Sequence, residues 1–83
     1  KMMDADAERT SIVRLLNQLT GREREVLDGI VEGKSNKDIA ARLGLSEKTI
    51  EFHRSKVMRK MDAASLAELT RKVFTATASA SDS

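Results

Sequence analysis

Cysteine, proline, tryptophan and tyrosine are all absent from this 83-residue chain, and phenylalanine occurs only twice. Without cysteine there is no disulfide, no thiolate metal ligand and no cysteine nucleophile, which suits a reducing compartment such as the cytoplasm. The lack of proline, with only four glycines and many Leu, Ala, Glu, Lys and Arg residues, favours helices and predicts an all-α fold. An aromatic content of 2% is too low for the stacking platforms that hold single-stranded nucleic acid. No apolar run approaches the roughly 20 residues of a membrane-crossing helix, and the N-terminus has no signal-peptide core, so a cytoplasmic domain without a membrane partner is expected. The single histidine has no evident acidic or nucleophilic catalytic partner, and phosphate-binding loops, metal-ligand clusters and paired carboxylates are missing. No enzyme activity, metal or cofactor is expected.

What is present describes one small folded domain. Hydrophobic residues make up 40% and charged residues 34%, the balance of an ordinary globular chain, and 83 residues supply a single core. The chain opens with Lys1 rather than methionine, so a piece of a longer protein is expected. The net charge of +2 hides a strong segregation. Residues 34–61 carry eight basic and three acidic side chains, whereas residues 1–33 carry five and seven, and residues 62–83 two and three. A basic middle between mildly acidic ends fits a polyanion-binding face, although charge alone fits a solvated surface as well.

Helix starts are marked by a hydroxyl residue with an acid close behind it, because the two satisfy free N–H groups of the first turn. Thr20 with Glu23, Ser35 with Asp38, Ser46 with Glu47 and Ser65 with Glu68 make four such signals. Gly33 and Gly44 stand where a left-handed residue closes a helix. Gly44-Leu45-Ser46 leaves only three residues between two helices, the short connection of a helix-turn-helix. Apolar residues recur at helical spacing: Val26, Leu27, Ile30 and Val31; Ile39, Ala40 and Leu43; Ile50, Val57, Met58 and Met61; Leu66, Leu69 and Val73. These form the expected core of a small four-helix bundle. Upstream, "SIVRLLNQL" places Ile12, Leu15, Leu16 and Leu19 on one face, which predicts an extra N-terminal helix. The small polar tail ending in "ATASASDS" predicts disorder over 77–83.

One helix departs from the usual pattern. In "SEKTIEFHRSKVMRK", residues 46–60, Ile50 and Val57 share a narrow arc, continued by Met61, at about 100° per residue. Phe52 falls nearly opposite, among Lys48, Ser55, Lys56 and Arg59. An α-helix fits the DNA major groove, where an outward aromatic ring reaches thymine methyls and surrounding cations reach phosphates; packing on a neighbouring linker or subunit is the other reading of the ring.

Residues 19–73, with "LTGREREVL", "SNKDIAARLGLSEKTI" and "HRSKVMRKM" at matching separations, resemble the LuxR-type helix-turn-helix domain found in many bacterial response regulators. The string "TIEFHRSKVMRKM" is most similar to the FixJ branch of that family. The resemblance implies a linker remnant over 1–18, a DNA-binding domain over 19–76 and a recognition helix over 46–61. It implies sequence-specific binding of double-stranded DNA as a dimer, transcription control involving RNA polymerase, and an upstream phosphorylatable receiver domain.

Within that family, base contacts come from positions matching Glu51, Phe52 and Ser55, with Lys48, Thr49 and Lys56 nearer the backbone. Glu51 has two readings, an acceptor for cytosine N4 or an intrahelical partner of Lys48 or Ser55. Arg59, Lys37 and His53 join the expected phosphate contacts, Lys37 because it sits in the first turn of its helix. His53 has a second reading as a local orienting group. Arg54 lies beside the buried arc and is read either as a phosphate contact or as the partner of Glu23 or Glu25. Leu66, Leu69 and Val73 in the last helix are the expected dimer contacts. Two other readings stay open: a protein-interaction module docking an acidic helix on Phe52, and a sigma-factor-like promoter-recognition domain.

Overall fold

The computed structural model describes the backbone of residues 2–81 and the side chains of residues 7–77. Its helices are α1 (Met2–Asn17), α2 (Gly21–Val31), α3 (Asn36–Leu43), α4 (Glu47–Lys60) and α5 (Leu66–Ser81), with no strand among the described residues. The chain is all-α, with a helix-turn-helix in α3 and α4 and an additional helix at its N-terminal side.

The cap residues act as their chemistry requires. Thr20 Oγ1 accepts the Glu23 N–H at 3.1 Å while the Thr20 N–H donates to Glu23 Oε1 at 2.9 Å, a complete capping box. Ser35, Ser46 and Ser65 each accept an N–H three residues ahead at 3.1 Å. The Glu68 carboxylate reaches back to the Ala64 N–H at 2.9 Å, one residue beyond the usual box.

Three helices also close in one manner, through a left-handed residue followed by an N–H that turns back across the last turn. Gly33 has φ of 81° and Gly44 of 69°, with Lys34 donating to the Gly29 carbonyl at 2.9 Å and Leu45 to that of Ala40 at 3.0 Å. After α4 the same role falls to Asp62, with φ of 54°, and Ala63 donates to the Met58 carbonyl at 2.9 Å. The Lys72 ammonium ties this strained turn to α5 by donating to the carbonyls of Met61 and Asp62 at 3.1 and 2.7 Å.

α2 and α3 both pack on α4, and α1 packs on α5. Val26, Leu27 and Ile30 meet Ile39, Ala40, Ile50, Val57 and Met61 in one core, which Ile12, Leu16, Leu69 and Ala76 extend. The core therefore begins before residue 19, since Ile12 and Leu16 of α1 are buried in it. At the other end α5 runs to Ser81, five residues into the segment expected to lack structure; the alanine-rich sequence there favours a helix once α5 has been nucleated.

Three apolar positions differ from expectation. Leu69 is fully buried, because α5 turns that face inward and α1 packs alongside, so it is not available to a second subunit. Val31, the last residue of α2, and Leu66, the first of α5, are 40% and 50% exposed and do not belong to the core. Helical spacing places a residue on a face but does not tell which face a neighbour covers.

Gly29 permits the close approach of α2 and α3. A Cβ there would stand 2.7 Å from Ile39 Cγ1 and 2.9 Å from Ile39 Cδ1, and Ile39 is itself buried. Alanine would gain up to about 1 kcal/mol of helix propensity, whereas overpacking costs about 1–3 kcal/mol. Gly29→Ala is therefore expected to destabilise the domain by about 1 kcal/mol in urea denaturation. Increased stability would mean that Ile39 yields freely and that α3 is not held by this contact.

Candidate nucleic-acid interface

The three-residue turn sets how α4 stands. Gly44 adopts the left-handed conformation, and Ser46 caps α4 while sharing a 2.9 Å hydrogen bond with the Thr49 hydroxyl. Ile50 and Val57 are fully buried, as is Met61 at the end of the helix, so one face of α4 is committed to α2 and α3. Its opposite face is left to solvent. Glu51, Phe52, Ser55 and Arg59 are exposed there, and Lys48 is exposed in the first turn. Lys37 is exposed in the first turn of α3.

Phe52 is 58% exposed on this basic helix, as its place in the sequence predicts. Its ring is nevertheless not isolated. The Lys56 ammonium lies 4.9 Å from the ring centroid, a cation–π arrangement, and the His53 ring stands 5.9 Å away at 54°. His53 is half-buried, and its Nδ1 is buried without a hydrogen bond among the described residues. Glu51 is exposed, and among the described residues it forms no ion pair with Lys48 and no hydrogen bond with Ser55. Thr49 is half-buried, with its hydroxyl engaged by Ser46.

The ion pair holding α4 to α2 involves a residue that sequence reasoning missed. Glu23 is 2% exposed and is paired at 2.8 Å with Lys60, the last residue of α4. Of the two readings of Arg54, the pairing with Glu23 or Glu25 is not formed, since Glu23 takes Lys60 and Glu25 takes Arg22 at 3.1 Å. The first turn of α2 lies against the last turn of α4, which brings Lys60 rather than Arg54 to the buried acid. Arg54 is half-buried and forms no ion pair among the described residues. No local pattern links positions 23 and 60. Phe74 was missed too: at 69% exposure it shares a stripe of α5 with Leu66 and Thr70, spaced by four, a signal that the helical wheel contains.

The Lys60 hydrogen bond, then the Thr20 N–H, holds the Glu23 carboxyl below its ordinary value of 4.5, against the opposing effect of burial. With the folded value lowered, this stabilisation is complete above about pH 4.5 and is lost as pH falls through the lowered folded value.

With the geometry described, the chain can be set beside known proteins. The model of the luxR family of bacterial regulatory proteins matches residues 17–73. The chain is 46% identical over 68 residues to the transcriptional regulatory protein FixJ of Azorhizobium caulinodans, covering 82% of this chain and 32% of that protein. It is 38% identical over 82 residues to the transcriptional regulatory protein TdiR of Thauera aromatica, covering 99% and 36%. The crystal structure of full-length FixJ from B. japonicum superimposes with a TM-score of 0.86 at 39% identity, over 93% of this chain and 38% of that one. The chain spans about a third of the length of the curated relatives it matches.

Replacing Lys60 by Met leaves the buried Glu23 carboxylate without its strongest partner. Lys60→Met is expected to lower stability at pH 7 by about 2 kcal/mol, measured by urea denaturation. The gap from the parent chain should narrow below pH 4.5 as Glu23 takes up a proton. A gap unchanged across that range would mean that Lys60 contributes only through its packed stem.

Proposed function

We propose that this chain, which belongs to the LuxR family of bacterial regulatory proteins, binds duplex DNA by sequence as the output domain of a two-component response regulator and thereby controls transcription. The observation that carries this reading is Phe52, exposed amid cations on a recognition helix whose opposite face is locked into the core. The ring is suited to a thymine methyl, the free carboxylate of Glu51 to cytosine N4, and the Ser55 hydroxyl to several base edges. Lys48, Thr49, His53 and Arg59 on α4, with Lys37 at the start of α3, supply the phosphate contacts that set register. Arg54 joins them as a phosphate contact. A receiver domain upstream, RNA polymerase as the downstream partner and a cytoplasmic location belong to this role.

Dimerisation on DNA is part of the proposal, with its surface revised by the burial of Leu69. Leu66 and Phe74 are exposed large apolar residues of α5, with Val73 half-buried beside them and Val31 of α2 nearby across a shallow groove. This surface is the proposed seat of the second copy.

Fluorescence-anisotropy titration with duplex and single-stranded DNA at two salt concentrations tests the DNA-binding reading. Duplex-preferring binding that weakens steeply with salt is expected. Phe52→Ala should remove about 1–3 kcal/mol of discrimination between preferred and random duplex, whereas Lys48→Ala should weaken both alike and reduce the salt slope by about one. Absence of duplex binding even at low salt would overturn the proposal. For the dimer, Phe74→Glu should abolish cooperative occupancy of two half-sites without unfolding the chain, while Leu69→Ala should cost about 2–5 kcal/mol of stability. Unchanged cooperativity in the Phe74 variant would exclude this face.

A further inference from the structure

Sequence alone places Lys56 among the phosphate contacts, and the geometry gives it a different position. Among the cations of α4, Lys60 is tied to Glu23, and Arg59 is exposed. Lys56 is half-buried and forms no ion pair among the described residues, its charge acting on Glu23 only from a distance. Its ammonium instead lies 4.9 Å from the centroid of the Phe52 ring, one helical turn back along the same face. Part of the side-chain freedom that a lysine ordinarily loses on binding has thus already been given up.

That distance matters because successive bases along a strand are separated by about 3.4 Å. With the ring against one base edge, an ammonium held beside it comes within reach of the adjacent base pair in the groove. A lysine offers only donors. Guanine presents two acceptors there, O6 and N7, whereas adenine puts a donor amino group in place of O6.

We propose that Phe52 and Lys56 read two adjacent base pairs as one unit, the ring taking a thymine methyl and the ammonium taking O6 and N7 of a neighbouring guanine. This inference rests on the duplex-binding reading above. It makes Lys56 a specificity-determining residue rather than a general anchor. It also gives the cation–π contact a purpose in the free protein, which is to hold the pair in the arrangement that the groove requires.

The test is selection of preferred duplexes from a random pool by the purified chain, repeated with Lys56→Met, with thermal unfolding to confirm that the variant folds. The parent should select a thymine with a guanine in the adjacent base pair. Replacing that G·C pair by A·T should weaken the parent about tenfold and the Lys56→Met chain by less than about twofold. If Lys56→Met weakens every duplex by one common factor and keeps the guanine preference, Lys56 contacts phosphate, and the inference falls while duplex binding stands. If the parent chain selects no duplex at all, the functional reading falls with it.

Discussion

Three residues separate α3 from α4, so the conformation of this short turn sets the direction of the second helix. Everything distinctive about the molecule follows from that turn. Gly44 takes a conformation that a side chain resists, and Ser46 starts a new helix at once. A helix so directed still needs an apolar partner for one face, which α2 and α3 provide together. The remainder of its surface has no intramolecular duty, and there the basic side chains and Phe52 collect.

The Glu23–Lys60 pair bears on the same problem of orientation. Glu23 is the buried charged residue of the described chain, and removing a carboxylate from water is unfavourable unless its oxygens are occupied. Two donors converge on its Oε1, the Thr20 N–H from its own cap and the Lys60 ammonium from the far end of α4. An apolar contact tolerates a helix sliding by a fraction of a turn. A buried acid does not, because a small slip would strand it, so this pair favours one register of α4 over its neighbours.

The local part of this design was readable beforehand and the non-local part was not. Caps and glycine stops are short-range chemistry, so Thr20, Ser35, Ser46, Ser65, Gly33 and Gly44 disclose their roles within a few residues of sequence. Phe52 was legible by contrast with its surroundings, an apolar ring on a polar face. Lys60 was not, since its partner is 37 residues away and lysine at a helix end is otherwise unremarkable. Leu69 carried two readings, core and dimer contact, because a helix's period shows that it has an apolar face, not whether its own chain or another covers it; its burial makes it core. Asp62 escaped notice because a left-handed turn is ordinarily marked by glycine, and here Lys72 secures it from outside.

α1 has a mechanical consequence. Ile12 and Leu16 are sunk into the core and Glu8 is paired with Arg71 at 3.2 Å, so this helix is held to the domain from Glu8 to Leu16 and acts there as a shaft rather than a tether. A body mounted on such a shaft by continuous helix has its heading set by helical phase. One inserted residue would swing it by about 100° and move it outward by about 1.5 Å. The length of that shaft is therefore an angular setting as much as a distance.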